Sequence, residues 1–124
     1  MNLQPQIDAA IGAHGLWKSR LRAAATTGTS EFSPNQIRDD HRCAFGSWLF
    51  GAEIAPEIKR SKHYQACVEL HRQFHNSAAE VLALALAGKK READAAMGDG
   101  SVFKRLSNEL TRAMMLWKTD RSAS

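Results

Sequence analysis

Residues 64–87, YQACVELHRQFHNSAAEVLALALA, decide the fold. Apolar side chains recur in this stretch at steps of three and four, the spacing that keeps them on one face of an α-helix. They form a stripe made of Tyr64, Cys67, His71, Phe74, Ala78, Val81 and Ala85, widened by Val68, His75 and Leu82. Pro56 marks the predicted start of this helix and Gly88 caps its end. The pattern predicts a long third helix that runs from Pro56 to about Ala87.

Two helices are predicted upstream of this stretch. The first has an apolar face formed by Leu3, Ile7, Ala10, His14, Trp17, Leu21 and Ala24. The segment TTGTS at residues 26–30 ends it. Ser33 and Pro34 then supply an N-cap and a proline at the first helical position. They predict a second helix that stops near Gly51 and carries Ile37, Cys43, Ala44, Trp48 and Leu49.

Downstream, residues 89–97 predict a short helix and residues 98–100 a turn. The last helix places on one side Phe103, Leu106, Leu110, Ala113 and Trp117. No segment alternates in the manner of a β-strand. We therefore expect an all-α fold, an antiparallel four-helix-bundle-like domain with an additional short helix. It forms a single domain over residues 1–124, with a core at 3–118 and a polar tail at 119–124 that is expected to fray.

Composition and charge restrict the class of partner. The chain has 124 residues, of which 44% are hydrophobic, enough for one core without disulfide bonds. Its formal net charge is +4, but the 17 basic residues are scattered and mixed with 13 acidic ones. The one dense basic run is 89–91. Because nucleic-acid-binding proteins concentrate positive charge on one face or motif, we predict no nucleic-acid partner.

The sequence also indicates a compartment. No uninterrupted apolar stretch reaches the roughly 18 residues of a membrane span, so no membrane insertion is predicted. The N-terminus MNLQPQIDAA lacks the charged and apolar regions of a secretory signal, which predicts a cytoplasmic protein. In that reducing environment, Cys43 and Cys67 are expected to be free thiols or a thiolate ligand rather than a disulfide.

Several polar residues fall on faces that are predicted to be buried. His14 lies in the middle of the first apolar face, and His71 and His75 lie one turn apart on the third helix. Cys43 is predicted near the middle of the second helix. A buried imidazole without a partner costs about 1–3 kcal/mol, and a metal ion would provide partners for all of these groups at once. Zinc accepts nitrogen and sulfur in a tetrahedral shell, and a thiolate favours it over magnesium or calcium.

Other interpretations of these residues stay open at this level. Histidines spaced as H-x-x-x-H occur often by chance, and each could be a hydrogen-bonded core residue. His63 and Cys67 continue the same four-residue spacing and are rival ligands, although steps of four drift around a helix and cannot all face one ion. Asp39 and Asp40 could orient a ligating histidine or form a solvated acidic pair. His41 is expected to be exposed.

Three segments carry a resemblance to a known family. They are HGLW at 14–17, CAFGSWL at 43–49 and HRQFH at 71–75. In this order they resemble H-x-x-W, C-x-[LF]-G-x-W-[LIY] and H-x-x-x-H, the motif set of the chemoreceptor zinc-binding (CZB) family, with no departure at any motif position. The resemblance implies that one Zn²⁺ is held by His14, Cys43, His71 and His75. It also favours Cys43 over Cys67, which is then a small core or boundary residue.

The resemblance further implies a function. CZB domains are bacterial cytoplasmic sensory modules, in which zinc occupancy or oxidation of the zinc-bound cysteine, for example by hypochlorous acid, modulates chemotaxis or cyclic-di-GMP signalling. The implied partners are a second copy of the chain, as a homodimer, and a chemoreceptor or diguanylate cyclase signalling domain in cis or in trans. The alternative is a stand-alone structural zinc-binding or assembly module.

Catalysis is not predicted. Four protein ligands leave no open position for water on the metal. In H-E-x-x-H metalloproteases a glutamate follows the first histidine, and the corresponding residue here is Arg72.

Overall fold

The structure, a computed structural model, describes residues 4–39 and 43–119, with Gln4 and Ala44 described through their backbone only. These residues form α1 Gln4–Thr27, α2 Pro34–Arg38, α3 Ala44–Leu49, α4 Pro56–Lys59, α5 Lys62–Leu86, α6 Lys90–Ala96 and α7 Val102–Thr119. Neither described range contains a β-strand. The predicted all-α, bundle-like fold is therefore confirmed.

The α5 helix is the centre of the domain. It packs against α1, α2, α6 and α7. The predicted stripe is its buried face, which consists of Tyr64, Cys67, His71, Phe74, His75, Ala78, Ala79, Val81, Leu82 and Ala85. The buried apolar side chains of α1 and α7 join the same core cluster. The three longest helices thus enclose one core, and the two α5 histidines lie within it.

The predicted second helix is wrong in its middle part. The α2 helix ends at Arg38, Asp39 has an extended backbone, and α3 begins only after Cys43. Cys43 also has an extended backbone, with φ −69° and ψ 159°, so α2 and α3 are separate helices. Cys43 is therefore the N-cap of α3 rather than a residue within a helix, and its Sγ accepts a hydrogen bond of 3.2 Å from the Gly46 amide.

The predicted third helix is likewise divided. Its first turn is the separate helix α4, which ends at Lys59 with Arg60 as its C-cap. Ser61 has an extended backbone, and its hydroxyl accepts a hydrogen bond of 3.3 Å from the Tyr64 amide. A serine at this position satisfies an amide that the new helix leaves without a backbone partner. Three short helices, α2, α3 and α4, thus precede the long α5.

The other helix boundaries agree with the predicted ones. Ser33 and Gln36 form a reciprocal capping box at the start of α2, with hydrogen bonds of 3.2 and 2.8 Å. Gly28 and Gly88 follow α1 and α5 with positive φ angles of 74° and 77°, a conformation that glycine adopts without strain. Thr119 is the last residue of α7, and residues 1–3 and 120–124 lie outside the described part of the chain.

One long-range hydrogen bond fixes α3 on α5. The buried Tyr64 hydroxyl donates to the carbonyl oxygen of Leu49, the last residue of α3, over 2.8 Å. Because Cys43 caps the other end of α3, this bond also restrains the position of the Cys43 sulfur. Within the described ranges, no helix has both the length and the apolarity needed to cross a membrane.

Candidate metal centre

The buried polar side chains of the described residues gather in one part of the core. They are His14, His71, His75 and Ser107, with exposed fractions of 6%, 3%, 4% and 0%. Buried polar groups need hydrogen-bond partners or a metal. Three of the four are predicted zinc ligands, and the fourth, Ser107, lies within hydrogen-bond distance of one of them.

Cys43, His71 and His75 bring their donor atoms together. The Cys43 Sγ lies 3.3 Å from His71 Nε2 and 3.6 Å from His75 Nε2. The two Nε2 atoms are 3.0 Å apart. Two local features produce this arrangement: the one-turn spacing of the histidines on α5, and the N-cap position of Cys43, which places its sulfur beside them. Within residues 4–39 and 43–119, these three form the group of His, Cys and acidic side chains that could hold a metal ion.

The three distances fit zinc. With Zn–N bonds of about 2.0–2.1 Å and a Zn–S bond of about 2.3 Å, a tetrahedral shell separates two nitrogens by about 3.3 Å and a nitrogen from a sulfur by about 3.6 Å. The observed separations of 3.0, 3.3 and 3.6 Å approximate one triangular face of such a shell. Two imidazoles and a thiolate also favour zinc over hard cations that prefer oxygen.

A backbone carbonyl orients His75. Its Nδ1 lies 2.6 Å from the carbonyl oxygen of Ile37 in α2, so Nδ1–H donates and the Nε2 lone pair faces the cluster. This carbonyl fills at His75 the orienting role that we considered for Asp39 or Asp40. Asp40 and His41 lie outside the described residues. No sequence signal could have found Ile37, because every residue carries a carbonyl.

His14 lines one cavity together with Cys43, His71 and His75, but it does not belong to their three-residue cluster. Its Nε2 is 3.2 Å from Ser107 Oγ, and its ring packs on Phe74 with centroids 3.8 Å apart. The structure thus brings three of the four predicted ligands together and places the fourth beside them. Burial lowers the pKa of His14 to about 4, with smaller contributions from Lys18 and His75. The imidazole is therefore neutral at pH 7, the form in which histidine binds metals.

The cavity around these residues is mostly apolar and has a volume of about 220 Å³. Besides the predicted ligands, its walls include Trp17, Phe45, Trp48, Phe74 and Met114. The Phe45 ring meets His71 edge-on, with centroids 5.2 Å apart. Apolar walls exclude water and lower the local dielectric constant, which strengthens the bonds between a metal and its ligands.

The rival ligands lie elsewhere. Cys67 is fully buried in the hydrophobic core, as predicted, and burial raises its pKa to about 12. Its thiol therefore stays protonated at pH 7, whereas a metal ligand must be a thiolate. His63 does not belong to the metal-competent group of the described chain. Cys43 and Cys67 do not form a disulfide bond with each other.

Comparisons with known proteins agree with the geometry. The family model described as "Chemoreceptor zinc-binding domain" matches residues 14–82, which include all three motif segments and more than half of the 124 residues. Searches of the curated proteins and of the solved structures returned no match. With a family match of this extent and a Cys/His/His cluster at its motif positions, the chain belongs to the chemoreceptor zinc-binding domain family.

Proposed function

We propose that this chain is a cytoplasmic zinc-binding sensory domain. His14, Cys43, His71 and His75 hold one Zn²⁺, and its occupancy or the oxidation state of Cys43 sets the output. The observation that carries this proposal is the set of donor distances of 3.0, 3.3 and 3.6 Å among Cys43, His71 and His75, which suits a tetrahedral ion. His14, neutral and buried on the same cavity wall, is the fourth ligand.

The position of Cys43 links chemistry at the sulfur to helix geometry. Its Sγ faces the histidine pair and also accepts the Gly46 amide at the start of α3. A zinc-bound sulfur is a thiolate and reacts with hypochlorous acid. The thiolate attacks the chlorine of hypochlorous acid and hydroxide leaves; water then hydrolyses the sulfenyl chloride to a sulfenic acid, with release of chloride and a proton. The product is a weaker metal ligand and a weaker cap, so oxidation releases the start of α3.

Accessibility supports Cys43 as the reactive cysteine. It is half-buried, whereas Cys67 is fully buried with a pKa raised to about 12. Oxidants react with thiolates that they can reach. The two cysteines of one chain therefore provide a reactive residue and an internal control.

We also propose that the domain works as a homodimer and modulates a chemoreceptor or a diguanylate cyclase domain, in cis or in trans. Membership of a family described by its chemoreceptor association supports the chemoreceptor as a partner. The motif resemblance supports the homodimer and the diguanylate cyclase. Zinc stabilises one packing of the helices, and its loss shifts the population towards another. No catalytic step is proposed.

Metal analysis combined with oxidant titration tests the proposal. The purified protein is expected to hold one zinc ion per chain and to release it at low molar equivalents of hypochlorous acid, monitored with a chromophoric zinc indicator. The matched controls are Cys67→Ala, which should release zinc like the wild type, and Cys43→Ser, which should bind zinc weakly from the start.

Two outcomes oppose the proposal in different ways. Zinc that leaves only when the protein unfolds would favour the alternative, a stand-alone structural zinc-binding or assembly module. The observation that supports this alternative is that residues of α2 and α5 and the N-cap of α3 meet at one site, so a bound ion would cross-link three segments. A purified protein without zinc affinity would overturn both functions.

A further inference from the structure

Ser107 is an unusual residue in the core. Among the described residues it is the one buried polar side chain that is not a predicted zinc ligand, and its exposed fraction is 0%. It lies on the buried face of α7 with Phe103, Leu106, Leu110, Met114 and Trp117. A hydroxyl on such a face loses its hydration and needs a hydrogen-bond partner in return.

That partner is His14. The Ser107 Oγ lies 3.2 Å from His14 Nε2, across 93 residues of sequence and between the packed helices α1 and α7. The His14 ring has little freedom besides this bond, because it is buried and packs on Phe74. The hydroxyl therefore fixes which edge of the imidazole faces α7.

His75 provides the comparison within the same site. Its Nδ1 faces the Ile37 carbonyl oxygen, which can only accept, so the opposite nitrogen carries the lone pair towards the cluster. Metal-binding histidines commonly hold their second ring nitrogen in this way, which sets both tautomer and ring orientation. At His14 the nitrogen held by an oxygen is Nε2, which leaves Nδ1 as the donor atom for a metal.

We propose that Ser107 is a positioning residue for the zinc site: its Oγ accepts a hydrogen bond from His14 Nε2–H and so presents Nδ1 of His14 to the metal. The inference rests on the proposed function, in which His14 is the fourth ligand. It adds a residue from α7 to a site whose motif residues all lie in α1, α3 and α5.

Zinc affinity measured by competition with a chromophoric chelator tests the inference. Ser107→Ala removes the hydroxyl and is expected to weaken zinc binding by about 10- to 100-fold, the usual loss for a partner of a ligating histidine. In a His14→Ala background the same substitution should have no further effect, since there is no ring left to orient. Leu110→Val, a change on the same buried face outside the cavity wall, is the matched control and should leave the affinity unchanged.

The tautomer of His14 is a second readout, and it would not change if Ser107 had a purely structural role. Long-range ¹H–¹⁵N correlation spectra of the metal-free wild type should show His14 protonated at Nε2, and Ser107→Ala should lose that preference. With ¹¹³Cd as the bound metal, scalar coupling is expected to Nδ1 of His14. The wild-type spectra do not depend on how well any variant folds.

The outcomes separate this inference from the proposed function. The role of Ser107 would be overturned by ¹¹³Cd coupling to Nε2 of His14, or by unchanged or tighter zinc binding in Ser107→Ala. The proposed function would survive either result if His14→Ala still weakens zinc binding. If His14→Ala leaves zinc affinity unchanged, His14 is not a ligand. The positioning role of Ser107 and the assignment of His14 as the fourth ligand are then both wrong. A wild type that binds no zinc overturns the proposed function and this inference together.

Discussion

His75 Nδ1 and the carbonyl oxygen of Ile37 are 2.6 Å apart, and this contact joins the short helix α2 to the middle of α5. Because the carbonyl accepts the Nδ1 proton, the Nε2 lone pair of His75 points towards Cys43 and His71. The metal centre therefore depends on a backbone group of α2, an element that contributes no predicted ligand.

Removal of the Cys43 sulfur should weaken zinc binding strongly, because it deletes one of three converging donors. Removal of the Cys67 sulfur should change zinc affinity little, since this thiol is buried in the core and stays protonated. Chelator competition on Cys43→Ala and Cys67→Ala measures both. Equal losses in the two variants would contradict the ligand assignment.

Withdrawal of zinc should lower the free energy of unfolding. A ligand that binds only the folded state stabilises it by about 4 kcal/mol at a free concentration 1,000 times its Kd. Thermal unfolding with buffered free zinc should therefore show a midpoint that rises with zinc concentration. In Cys43→Ala the midpoint should be almost independent of zinc over the same range. A wild-type midpoint that does not respond would show that the ion does not couple to folding.

The metal-free protein should lose stability as the pH falls from about 6.5 to about 4. Burial lowers the pKa of His14 from 6.5 to about 4, so in this range the unfolded chain binds a proton that the folded chain does not. Protons then favour unfolding, and the loss from this one residue reaches at most about 3 kcal/mol. Urea unfolding at a series of pH values in the presence of a chelator measures it.

His14→Gln is the control for this pH dependence. The substitution keeps a polar side chain but removes the titrating imidazole. The free energy of unfolding of the variant should therefore vary less between pH 6.5 and pH 4 than that of the wild type. If wild type and variant show parallel pH profiles, the stability change comes from other groups.

Tyr64→Phe should destabilise the fold by about 1 kcal/mol, because the buried hydroxyl donates to the Leu49 carbonyl oxygen over 2.8 Å. The substitution leaves the apolar packing of the ring on Trp117 in place. Chemical denaturation quantifies the loss. A variant as stable as the wild type would show that this bond does not hold α3 against α5.

Much of the fold follows from the pattern of apolar residues. The stripe from Tyr64 to Ala85 predicts the buried face of α5, and the histidines at 71 and 75 appear on it because their spacing matches one helical turn. Helix ends with a specific side-chain signal, such as Ser33 followed by Pro34, are also predicted well. Periodicity and caps act locally, and a sequence displays them directly.

Two features of the site could not be predicted in the same way. The apolar residues Ile37 and Ala44 on either side predict that Cys43 lies within one continuous helix. In the structure it is instead the N-cap of α3. The Ile37 carbonyl and the Ser107 hydroxyl reach their histidines only through tertiary packing, across 38 and 93 residues. Contacts of that range depend on how whole helices are arranged, and no local spacing encodes them.

The location of the histidine pair along α5 has a mechanical consequence. With a rise of about 1.5 Å per residue, the ion-binding turn lies about 15 Å from both the first and the last residue of this 25-residue helix. A tilt that begins at that turn displaces either tip by a similar amount. Under the proposed function, a partner at either end of α5 would therefore experience a similar displacement when zinc is lost.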